Sequence, residues 1–137
     1  KYANDNARKY NSIPKMMVYN TALLSALSNS NFEKTLTTPK VWGRWVESAI
    51  GSYLLNKADE LDFKLHYWRE NNNEVDFVLE QNKQCIAIEI KSGKRTTNNG
   101  ISILSNKFQP RHSFIVGSDG FPVEEFLTLD IENLFEL

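Results

Sequence analysis

Between Tyr67 and Ser92 the chain alternates, residue by residue, in a way only a sheet can use. Val75, Phe77 and Leu79 interleave with Glu74, Asp76, Val78 and Glu80, and Ile86, Ile88 and Ile90 interleave with Ala87, Glu89 and Lys91. A period of two, rich in β-branched and aromatic residues, marks half-buried strands. Strands are expected over 65–69, 74–80 and 85–92. With the second turn centred on Asn82-Lys83, Asp76 faces Glu89 and Glu74 faces Lys91 across an antiparallel pair. Opposed Cβ atoms there are about 5 Å apart. Two carboxylates at that spacing repel by roughly 3 kcal/mol at an effective dielectric of about 20. Stability would not retain such a pair, so a positive charge is expected between them. The candidates are a hard divalent cation with oxygen ligands and the Lys91 ammonium. A slip of one residue in register would part the two acids.

Upstream, Thr38 suits an N-cap and Pro39 the first helical position of a helix expected to reach about Lys57. Gly43, Glu47 and Gly51 fall four apart and stack on one side, beside Val46, Ile50 and Leu54. Glycine costs a helix about 1 kcal/mol relative to alanine. Two glycines around one acid therefore predict a helix pressed against another surface. An acid in that stripe needs a partner, because an unpaired buried charge is costly. Shorter elements are expected over 16–19 (strand), 21–28 (helix), 101–108 (helix, ended by Pro110), 113–116 (strand), 126–129 (strand) and 131–135 (helix). A helix between strands implies a right-handed crossover to a parallel neighbour. The fold class is therefore α/β, with a mixed central sheet flanked by helices. Residues 1–12, polar and Asn-rich, read as a linker or tail. Residues 13–137 read as one domain with its core at about 39–117.

The 137 residues suffice for one core. A net charge of -1 gives no global basic field, so a polyanion would have to be held by a local patch or a metal. The lone Cys85 forms no internal disulfide and fits a reducing cytoplasm. No apolar run approaches a membrane span. The chain opens at Lys1 without a methionine, as a piece of a longer protein would.

An acid on a helix (Glu47), an acid on the second strand (Asp76) and Glu89-Ile90-Lys91 on the third resemble the PD-(D/E)xK nuclease superfamily. More narrowly, the chain is similar to the C-terminal domain of unknown function DUF4143 of prokaryotic AAA-type ATPases. The residues that carry this are Pro14-Lys15 with Leu23-Leu24, Gly43 with Glu47, Tyr67-Trp68-Arg69, Glu74-Val75-Asp76-Phe77 and Ile88-Glu89-Ile90-Lys91-Ser92. The likeness runs from about Ile13 to Gly117. Asn20 departs from the Asp often found there, and Val75 replaces the proline of the motif's name. The resemblance implies a restriction endonuclease-like αβββαβ core. It implies Mg²⁺ or Mn²⁺ held by Asp76, Glu89, the Ile90 carbonyl and Glu47, with Lys91 orienting a water. Arg69, Lys94 and Arg95 would contact phosphates. The reaction would be hydrolysis of DNA phosphodiesters, in a module appended to an upstream ATPase domain. No GxxxxGK[ST] occurs, so this stretch has no P-loop of its own.

Each residue also has a plainer reading. Glu89 and Lys91 can form an ion pair, Glu47 can bond a nearby Arg or Lys, and Glu74 can pair with Lys91. Arg69 can be structural, Trp42, Trp45 and Trp68 core, and Cys85 an inert buried thiol. His66 and His112 are isolated and give no zinc site. The alternative function is then a catalytically inactive module of the same fold, used for partner docking, DNA binding or regulation of the ATPase. Self-association stays open.

Overall fold

The computed structural model describes residues 1–4, 12–29, 31–92, 99–118 and 120–136. Three helices open it: α1 (Thr21–Leu27), α2 (Phe32–Thr37) and the long α3 (Pro39–Leu61). Then come β1 (Lys64–Glu70), β2 (Asn73–Gln81), β3 (Gln84–Lys91), α4 (Gly100–Phe108), β4 (His112–Gly117), and the short helices α5 (Val123–Phe126) and α6 (Asn133–Glu136). The four strands lie in the order β1-β2-β3-β4, antiparallel up to β3 and parallel between β3 and β4. The expected mixed sheet with a crossover helix is what forms.

Each face of the sheet carries its own core. On one, Val46, Ile50 and Leu54 of α3 meet Phe77, Leu79, Ile86 and Ile88. On the other, Leu104 of α4 meets Trp68, Val75, Val78, Cys85 and Ala87. α3 sits close because it carries Gly51: a Cβ there would overlap the Met17 methyl and the Phe77 ring. The turn at Asn82-Lys83 takes left-handed dihedrals at both residues (φ 50° and 65°), which match the twist of the flanking strands. It sets the register expected from the sequence, with Phe77 opposite Ile88 and Leu79 opposite Ile86.

One feature departs from the alternation. His66 pairs with Val78, but Trp68 pairs with Val75. Tyr67 alone therefore opposes two residues, Asp76 and Phe77, a bulge that turns one residue to the other face. Val75 thus packs with Val78 on the α4 side, while Phe77 packs on the α3 side.

Other expectations need correction. Residues 16–19 join no strand, and the chain bends at Tyr19; Ser52 Oγ donates to the Val18 carbonyl (2.7 Å) and Asn56 Nδ2 to that of Tyr19 (2.9 Å), tying the segment to α3 instead. Thr38 gives α3 no side-chain cap, because its hydroxyl donates back to Lys34 O (2.8 Å). α2 was not foreseen. It starts where Asn31 accepts from Lys34 N (2.8 Å). The strand expected over 126–129 is the end of α5 and a turn. Within the expected tail, Tyr2 docks on the sheet, its N–H donating to Tyr67 O (2.7 Å) and its ring meeting Phe108. Residues 5–11 of that tail lie outside the described residues.

Candidate functional site

Lys15, in the extended segment before α1, reaches the α3 face of the sheet. Its ammonium bonds the Glu47 carboxylate of α3 and lies 3.4 Å from Asp76 Oδ1 and 3.9 Å from Glu74 Oε1 of β2. It also stands 5.0 Å from the centre of the Phe77 ring, close enough for a cation–π contact. The bulge makes this possible by carrying Asp76 round to the side of Phe77 and α3. The second Asp76 oxygen accepts from the Ile90 N–H of β3 (2.9 Å).

The electrostatics follow from crowding. Burial pushes the Asp76 carboxyl up to about 6 against the opposing pull of the Ile90 N–H and the Lys15 charge, with Glu47 and Glu74 adding to the rise. Burial alone would lower the Lys15 pKa, but its bond to Glu47 and the charges of Asp76, Glu47 and Glu74 outweigh that and raise it. A groove of about 420 Å³ opens beside Lys15 and Asp76, walled by Met16, Leu65, Tyr67 and Phe77.

Glu89 belongs to a different environment. It is 4% exposed and lies on the α4 side, accepting from the Ile101 N–H. Asn99 makes no side-chain cap at the start of α4, so the Glu89 carboxylate serves there, where the helix dipole favours negative charge. Lys91 Nζ is 3.5 Å from Glu89 Oε1. Burial raises the Glu89 pKa, opposed by Lys91 and the Ile101 N–H.

A match to the domain of unknown function DUF4143 spans residues 42–126, taking in Glu47, Asp76, Glu89 and Lys91. The chain belongs to the DUF4143 family. Neither a curated protein nor a solved structure matches it.

In this DUF4143 domain, then, Glu47 and Asp76 meet, while Glu89 and Lys91 are not brought to them. The residue numbers oppose Asp76 to Glu89, but the paired ladder stops at Phe77–Ile88 and the bulge sends the two carboxylates to opposite faces. Among the described residues no group of three or more His, Cys, Asp or Glu side chains is placed to hold a metal ion. The set expected for Mg²⁺ or Mn²⁺, Asp76, Glu89, the Ile90 carbonyl and Glu47, does not fit that ion here. Glu74 does not meet Lys91; it bonds Arg69, whose Nε lies 3.0 Å away. Arg69 is thus engaged with an acid rather than aimed at a phosphate site. Lys94 and Arg95 lie outside the described residues. Lys15 was the residue missed. The signal was present, since Glu47 needed a partner and Lys15 is the lone charge between Ser12 and Phe32.

Proposed function

We propose that this DUF4143 domain is a non-catalytic module with a restriction endonuclease-like core, serving partner docking and regulation for an AAA-type ATPase with which it shares a longer chain. The single observation behind this is that each acid of the motif is closed by a lysine of the same chain. Lys15 answers Glu47 and Asp76, and Lys91 answers Glu89 on the far face. The walls of the groove beside Asp76 are mostly apolar, and the Lys15 ammonium on it is already engaged with Glu47 and Asp76. The ATPase context rests on the resemblance carried on Tyr67-Trp68-Arg69, Glu74-Val75-Asp76-Phe77 and Ile88-Glu89-Ile90-Lys91-Ser92.

One contact favours the metal-dependent nuclease as the second reading. Asp76 accepts from the backbone N–H of Ile90, the middle residue of the E-x-K triplet, so the acid of the second strand does reach the triplet. The two readings separate in one experiment. Wild type and Asp76→Asn are melted with and without millimolar Mg²⁺ or Mn²⁺, and incubated with supercoiled plasmid. The docking module shows no metal-linked rise in Tm and no nicking above the variant. Nicking lost in both Asp76→Asn and Lys91→Ala would overturn it and establish the nuclease.

A further inference from the structure

We propose that the apolar face formed by residues 13–29 and 31–36 is an interface with a second copy of this chain. Among the described residues, seven of the eight exposed large apolar side chains fall in this stretch: Ile13, Met16, Tyr19, Leu23, Leu27, Phe32 and Leu36. Met16 is 87% exposed, Leu27 85% and Leu23 62%. None of the residues of α1 is buried, although isolated helices shorter than about 12 residues are marginal in water. Leu23 and Leu27 stand one turn apart and form a ridge.

Beside the ridge lies a groove of about 480 Å³ whose walls include Trp42, Trp45, Val46 and Leu127. The two features are continuous. Thr21, the first residue of α1, lines the groove, and the Phe32 ring meets Trp42 edge-on at 6.4 Å. A ridge and a groove of matching chemistry on one face are what a two-fold contact requires, because the same patch must serve both subunits. The ridge of one copy then fills the groove of its partner.

Charge points to the same occupant. From Ser12 to Phe32 the one charged residue is Lys15, and its ammonium is turned inward to Glu47 and Asp76. Beyond Phe32 the face carries one charge of each sign, Glu33 and Lys34, so like meets like without net repulsion and the ridge lacks the excess of basic residues that draws helices to anionic lipid. The exposed area is of the right size. Seven such side chains offer on the order of 800 Å² per copy, the share each partner gives to a standard interface and more than the few hundred Å² a monomer usually leaves bare. The inference does not depend on whether the acid cluster takes a metal, although Met16 and Tyr19 at one end of the face also line the groove beside Asp76.

Sedimentation velocity of the 137-residue chain across a concentration series tests it, beside the double variant Leu23→Asp/Leu27→Asp. Wild type forms a dimer whose dissociation constant changes less than about fivefold between low and high salt, since the ridge carries no charge and the charges around it, Glu33 with Lys34 and Glu124 with Lys91, balance. The double variant weakens the dimer at least about a hundredfold while keeping the wild-type circular dichroism and the Tm that wild type shows when diluted to monomer. If that variant fails to fold, the milder Leu27→Ser, at a position 85% exposed, takes its place and must weaken the dimer at least about tenfold. Monomeric wild type at high micromolar concentration, association without fixed stoichiometry, strong salt dependence, or an unchanged dimer in a folded double variant would each overturn the proposal.

Discussion

Replacing Lys15 with Met keeps most of the side chain's bulk and removes the one cation that Glu47, Glu74 and Asp76 share. Losing one partner of a fully buried ion pair costs about 3–5 kcal/mol. These side chains are not fully buried: Lys15 is 23% exposed, Glu47 31% and Asp76 18%. Solvent screening brings the expected cost at pH 8 down to about 2 kcal/mol. For a domain of this size that lowers Tm by roughly 6–10 °C. The loss must depend on pH. With Asp76 titrating at about 6, lowering the pH to 5 neutralises one acid of the cluster, and removing Lys15 raises that value further. The deficit of Lys15→Met should therefore shrink by half or more between pH 8 and pH 5, and Lys15→Arg should show little deficit at either. Differential scanning calorimetry at the two pH values measures this. A Lys15→Met protein as stable as wild type at pH 8, or equally destabilised at both pH values, would refute the idea that Lys15 neutralises the cluster.

Asp76 itself is held in an environment that disfavours its charge. Its folded pKa, about 6, lies above the ordinary 3.8, so the folded chain binds that proton more tightly and stability falls as pH rises from about 4 to about 6. Asp76→Asn should abolish that slope and gain on the order of 2 kcal/mol at pH 8, read by urea unfolding across the pH range. Gly51→Ala improves helix propensity but drives a methyl into Met17 and Phe77. Overpacking should win, with a net loss of about 1–2 kcal/mol in the same assay.

The sheet was legible because its signals are local. The apolar residues at Ile86, Ile88 and Ile90, with a two-residue turn, fixed register without any distant contact, and the crossover helix fixed β4 as parallel. The bulge was not legible. It interrupts pairing with β1, yet Glu74-Val75-Asp76-Phe77 alternates straight through it and the apolar run Phe77-Val78-Leu79 reads equally well as a strand buried on both faces, so sequence put Asp76 on the face of Glu89. The geometry of the acid site depended on that one residue. Lys15 was hidden for another reason: its segment is held by Ser52 and Asn56 of α3, a tertiary choice that no short-range pattern records. α2 rests on the Asn31 cap, a short signal inside a run of Ser and Asn that reads equally well as loop.

The rims of the sheet are both occupied. On β1 the Tyr67 carbonyl is taken by Tyr2; on β4 the Ile115 carbonyl accepts from Phe121, whose own carbonyl accepts from Gly117. An extended peptide looking for an unclaimed strand to zip along finds each rim interrupted near its middle. A newcomer strand would have to displace Tyr2 from one rim or Phe121 from the other before the ladder could lengthen there.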